Sequence, residues 1–187
     1  PQVAVFHCLV LVGVCVLVLG GLQRSAEATE QGWFASEIIP MEAKSIKQKA
    51  DVTQDEGIRG DSTAEGLGKL RPAFKKDGTV TAGNASQISD GAAAIVVASA
   101  DAASELGATP MARIVGTHTQ GVEPKNLFEA PGLGIEALLS RHGLSPKDVD
   151  LYEINEAFAA QAIANIRHLG LDEDKVNICG GGIALGH

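Results

Sequence analysis

The sequence predicts an α/β fold of alternating strands and helices in layers, and three observations carry that expectation. An apolar run at residues 92–98 and strand-like stretches at residues 112–116, 149–154 and 176–179 alternate with helical stretches at residues 100–106, 134–142 and 156–169. Each helical stretch is followed by a glycine, Gly107, Gly143 or Gly170, the residue that most readily takes the left-handed conformation closing a helix. The composition, 45% hydrophobic and 20% charged, suits a chain that buries a core. Such alternation implies a layered α/β domain.

Taken in order, the chain opens on an almost unbroken apolar run at residues 3–22, in which His7 is the only histidine or charged residue. All fifteen Lys and Arg and all twenty-three Asp and Glu follow residue 22. About 20 apolar residues can span a bilayer as a helix, so a membrane anchor is one reading of this run. No basic residue precedes it, however, as a signal peptide or an orientation signal would require. The favoured expectation is a leader, residues 1–22, that stands outside the fold. Residues 23–31 read as a helix stopped at Gly32, and residues 38–61 as a charged, loop-rich stretch. Residues 63–70 have small and apolar residues at helical spacing and end before Arg71-Pro72, where proline disfavours further helix. Residues 79–89 are small and polar, a loop able to approach a ligand closely. Ser145-Pro146-Lys147-Asp148 is a helix-start signature.

The net charge is −8 and the pI about 5.1, and aromatics make up 4% of the chain. With no basic stripe and no aromatic platform, nucleic acid is excluded as a partner. The three cysteines, Cys8, Cys15 and Cys179, form no C-x-x-C pair, so neither a disulfide framework nor a zinc site is expected.

The chemistry-bearing residues gather late in the chain. Asn155 falls where a strand is expected to end and a helix to begin, which places it at the carboxyl edge of a sheet; a plain N-cap is the alternative. His187 follows the glycine run 180–182 at the end of another strand. An amide and an imidazole at two strand ends can together polarise an oxygen. Gly181 to Gly186 has the outer spacing of a phosphate loop, but His187 stands where Lys must follow, and Leu185 breaks the dinucleotide fingerprint. Cys179 lies eight residues before His187 and reads as a buried structural cysteine rather than its nucleophilic partner.

Five motifs in order then carry a family resemblance: Asp55-Glu56-Gly57-Ile58-Arg59, Lys69-Leu70-Arg71-Pro72-Ala73-Phe74, Thr81-Ala82-Gly83-Asn84-Ala85-Ser86 with Asp90-Gly91-Ala92, Asn155-Glu156-Ala157-Phe158-Ala159, and the terminal Gly181 to His187. Together they resemble a thiolase, most of all the acetyl-CoA acetyltransferase branch, with the 3-ketoacyl-CoA thiolases close behind. The resemblance implies an acyltransferase that moves acetyl or acyl groups between coenzyme A thioesters through a cysteine thioester, with coenzyme A or acetyl-CoA as substrate and no metal in the chemistry. His187 matches the histidine that activates the nucleophile and binds the thioester oxygen. Asn155 matches the asparagine that positions a water beside it. Ser86 matches the serine bonded to the pantetheine arm, with Ala82, Leu70 and Phe74 along that tunnel. Arg59 matches a basic residue near the ADP end, and Ala157 and Phe158 flank the acyl pocket.

By the same resemblance, residues 23–89 are part of the loop domain that covers coenzyme A and residues 90–187 the first part of the C-terminal thiolase domain. The nucleophilic cysteine and the second catalytic cysteine have no match here, so the chain reads as a partial sequence that is inactive alone. The rival expectation is a non-catalytic coenzyme A-binding or dimerisation module. A face that packs against a twin domain in the family would be exposed, which predicts oligomerisation; family members are homodimers or tetramers. Cytosol or mitochondrion is the expected compartment of the parent enzyme.

Overall fold

The computed structural model describes the backbone from Gln2 to His187 and the side chains from Gly13 onward. Its first element is one long helix, α1 (Gln2–Glu30). Val18, Leu22, Ser25 and Ala28 recur at helical spacing along α1 and are all buried. Leu17, Val18 and Leu22 enter the main hydrophobic cluster with Tyr152, Ile154, Ile163, Ile166, Val176 and Ile183. The expected break at residue 22 is therefore corrected: the apolar run continues into the charged stretch as one helix, and its last turns form one wall of the core. The first half of the run at residues 3–22, with Cys8, has side chains outside the described residues. Among the described residues no helix is long and apolar enough to cross a membrane.

The chain then becomes irregular. Antiparallel bridges Met41 to Val52 and Pro72 to Thr81 tie its loops. Between them α2 (Ala64–Gly68) is capped by Thr63, whose Oγ1 accepts a hydrogen bond from Gly66 N at 3.1 Å. Next, α3 (Ala100–Glu105) is capped in the same way by Ser99. A 3-10 turn (Pro124–Glu129) leads into α4 (Ala130–Arg141), which starts earlier than its apolar pattern suggests because Pro131 presets the first turn. The signature at Ser145 makes only a 3-10 turn (Pro146–Asp148), although both hydrogen bonds of its capping box are present.

The helix α5 (Ala159–Leu169) begins three residues later than expected and ends at Gly170, φ 62°. Phe158, still extended, is its N-cap residue, so Asn155 is not the cap. The last helix, α6 (Gly182–Leu185), is a single turn that the glycine run concealed. Helix α1 packs against both α5 and α6.

The expected strands fare unequally. Residues 149–154 and 176–179 meet in one parallel bridge, Tyr152 to Val176, with Tyr152 N donating to Lys175 O and Asn177 N to Tyr152 O, both at 2.8 Å. Residues 92–98 and 112–116 stay without regular secondary structure, with Ile95, Val96 and Val97 at 87%, 94% and 71% exposure. Ladder pairing needs a neighbouring strand, and none of the described residues supplies one to these two segments.

Candidate active site

The parallel pairing stops after one rung because Asn177 leaves strand geometry, at φ 49°. Its carboxamide then takes over from the backbone: Oδ1 accepts from Ile154 N and Nδ2 donates to Ile154 O, both at 2.8 Å. Nδ2 also donates to Glu156 Oε1 at 3.0 Å. Glu156 is 2% exposed, and its other oxygen, Oε2, accepts from Ile183 N at 3.3 Å. A buried carboxylate thus receives an amide from each side and ties the end of residues 149–154 to α6. Gly181 makes this approach possible, since a Cβ there would stand 2.5 Å from the Glu156 carboxyl carbon.

Helix α1 braces the same turn from outside. Ser25 Oγ donates to Cys179 O at 2.9 Å, and Arg24 Nε to Asn177 O at 3.1 Å. Burial, followed by the carboxylates of Glu153 and Glu37, pushes the Cys179 thiol above its ordinary range, away from the thiolate a nucleophile needs. Cys179 sits in this turn, between Asn177 and Gly180 at φ 84°, rather than in a strand.

This scaffold brings Asn155 and His187 together. Asn155 Nδ2 lies 3.1 Å from His187 Nε2 and 3.5 Å from its Nδ1. Both residues line a cleft of about 430 Å³, with Ala157, Phe128, Gln161, His118 and Gln120 among its other walls. Arg141 Nη2 donates to His118 Nδ1 at 3.1 Å, which leaves Nε2 to donate to Gln120 Oε1 at 3.0 Å.

A second cleft of about 510 Å³ holds Arg59, Leu70 and Ala82, with Thr63, Leu67 and Gln87. Gln87 joins the two regions: its Nε2 faces Gly57 O at 2.6 Å, Ala184 O at 2.7 Å and Ile183 O at 3.1 Å. Ser86 stands between them, its hydroxyl donating to Glu156 O and its N–H to Ala157 O. Phe158 packs edge-on against Phe128 at 5.4 Å between centroids. Phe74 is 75% exposed and lines neither cleft.

Glu156, Asn177 and Gln87 escaped the sequence reading. For Glu156 the one available signal is an acidic residue directly before the apolar Ala157-Phe158-Ala159. Asn177 and Gln87 gave none, because their partners are backbone groups distant in the chain.

Two family models match, "Thiolase, N-terminal domain" over residues 19–101 and "Thiolase, C-terminal domain" over residues 108–187. Among curated proteins, the mitochondrial 3-ketoacyl-CoA thiolase of Pongo abelii is 50% identical over 165 residues, 88% of this chain and 42% of the relative. An acetyl-CoA acetyltransferase of a Synechocystis strain is 48% identical over the same shares. A crystal structure of human mitochondrial 3-ketoacyl-CoA thiolase in complex with CoA superposes with a TM-score of 0.88 at 45% identity, covering 100% of this chain and 46% of that one. The chain thus spans less than half the length of the relatives it matches. With two adjoining family models and a shared fold along its whole length, the chain belongs to the thiolase family.

Proposed function

We propose that this chain is the part of a coenzyme A-dependent acyltransferase that binds the coenzyme and stabilises the oxygen of the acyl thioester. The single observation that carries the reading is the meeting of Asn155 and His187 at 3.1 Å in one cleft. An enolate formed at the α-carbon of acetyl-CoA needs prearranged donors at its oxygen. In this role His187 binds the thioester oxygen directly, and Asn155 holds a water that meets it from the other side. The second cleft suits the carrier: Arg59 offers a guanidinium to phosphate, while Leu70 and Ala82 give a small apolar wall to the pantetheine arm. Ser86 lies where that arm would pass between the clefts. The nucleophile belongs to the remainder of such an enzyme, so this chain binds without turning over.

The same reading assigns residues 23–89 to the coenzyme-covering loop domain and residues 90–187 to the C-terminal domain. The exposed Ile95, Val96 and Val97 support packing against a further domain or a second copy. The mitochondrial relative favours the mitochondrion of the two expected compartments.

Calorimetric titration tests the reading. The chain should bind CoA, and acetyl-CoA more tightly. Asn155→Ala and His187→Ala should each reduce that preference by about three- to tenfold, the worth of one neutral hydrogen bond, with CoA affinity retained. No binding of CoA by the unsubstituted chain overturns the reading. Binding with a preference indifferent to both substitutions favours the non-catalytic coenzyme-binding module.

A further inference from the structure

Gln161 occupies the first turn of α5 and lines the cleft that holds Asn155 and His187. It is 6% exposed, and its Oε1 is buried with no hydrogen-bond partner among the described residues. One turn further on, Asn165 shows what a structural amide looks like in this helix: its Oδ1 accepts from Gly132 N at 2.7 Å, and its Nδ2 donates to Phe128 O and Gln161 O at 2.9 and 2.8 Å. A buried carboxamide oxygen without a partner costs stability and calls for a reason. The neighbouring polar groups of the cleft give Gln161 nothing, since His118 is tied to Arg141 and Gln120, and Gln120 donates to Gly121 O.

The inventory of a water molecule supplies the reason. A water that accepts a hydrogen bond from the Asn155 amide still has two hydrogens to donate. A thioester carbonyl takes one, and an acceptor on the protein must take the other if the water is to have a single orientation. We propose that Gln161 is a further positioning residue of this site: its Oε1 takes a hydrogen from the water held by Asn155 and so aims the second hydrogen at the thioester oxygen. The proposal rests on the coenzyme A reading above and adds to it the group that orients the water.

The test is calorimetric titration of the full 187-residue chain with CoA and with acetyl-CoA, for the unsubstituted protein, Gln161→Met and Gln161→Glu. Methionine keeps the volume and removes the acceptor; glutamate keeps an acceptor. Gln161→Met should bind CoA within about twofold of the unsubstituted chain while its preference for acetyl-CoA over CoA falls about three- to tenfold. Gln161→Glu should keep that preference. The melting temperature of Gln161→Met should not fall, because no bond to Oε1 within the protein is lost. An unchanged acetyl preference in Gln161→Met, or an equal loss in both variants, overturns this proposal and leaves the coenzyme A reading intact. Loss of both ligands with a lowered melting temperature makes Gln161 structural and overturns it as well. Failure of the unsubstituted chain to bind CoA removes both readings together.

Discussion

Two stretches of strand length, the wholly apolar residues 92–98 and residues 149–154 with Asp150 and Glu153 set among apolar positions, end in opposite situations. The second bridges Val176 through Tyr152, is continued by the carboxamide of Asn177, and buries Tyr152 and Ile154 under α1 and α5. The first has no ladder partner among the described residues, and Val96 is 94% exposed. The difference teaches that an apolar strand pattern specifies readiness to pair, while the partner decides whether a sheet forms. Around residue 154 the partners are single side chains, so order there depends on a few buried groups that can be removed one at a time.

The comparison breaks most severely at Gly181. Replacing it with alanine drives a Cβ to 2.5 Å from the Glu156 carboxyl carbon, and overpacking of this kind costs about 1–3 kcal/mol. Urea unfolding should show that loss, and CoA titration should show the acetyl preference weakened as α6 moves His187. A stability equal to that of the unsubstituted chain would mean that the Glu156 clasp is slack. A comparable loss is expected from Leu22→Ala, since truncating a buried leucine costs at least about 2 kcal/mol; a leader lying outside the fold predicts no change in the urea midpoint.

Cys179 sharpens the contrast through pH. Its raised pKa disfavours the thiolate in the folded state, so its contribution to stability is intact below the ordinary thiol value of 9.0 and is lost as pH rises through the higher folded value. Peptide mapping after iodoacetamide treatment near pH 9 should find Cys179 alkylated severalfold more slowly in the folded chain than in urea. Equal rates would place the thiol in open solvent. At the exposed end of the comparison, Val96→Lys should leave the free energy of urea unfolding within about 0.5 kcal/mol of the original while reducing self-association in sedimentation velocity. A large loss of stability would show that residues 92–98 are packed after all.

Much of the fold was legible because it rests on local chemistry. The stops at Gly107, Gly143 and Gly170 follow from residue type, and Asn155 and His187 do lie together, although His187 follows the single turn of α6 rather than a strand; the spacing puts Thr63 inside its helix, whereas the structure makes it the cap. The late start of α5 was not legible, because residues 155–158 stay extended through contacts made at a distance: Ser86 N donates to Ala157 O, and Ala85 bridges Phe158. The place of α1 was hidden for a related reason. A uniformly apolar run carries no periodicity to show which face is buried, so α1 could be read as a leader or as a wall of the core. Arg59, Leu70 and Ala82 line one cleft together, whereas Phe74 does not join them. The polar side chains that hold the site, Glu156, Asn177 and Gln87, answer to backbone groups far along the chain, and spacing within a motif cannot reveal such partners.

The carboxamide of Gln87 has two hydrogens and faces three carbonyls, those of Gly57, Ile183 and Ala184. One hydrogen must therefore be shared between two of the carbonyls, and a single side chain thus fastens the loop at residue 57 to two successive carbonyls of α6.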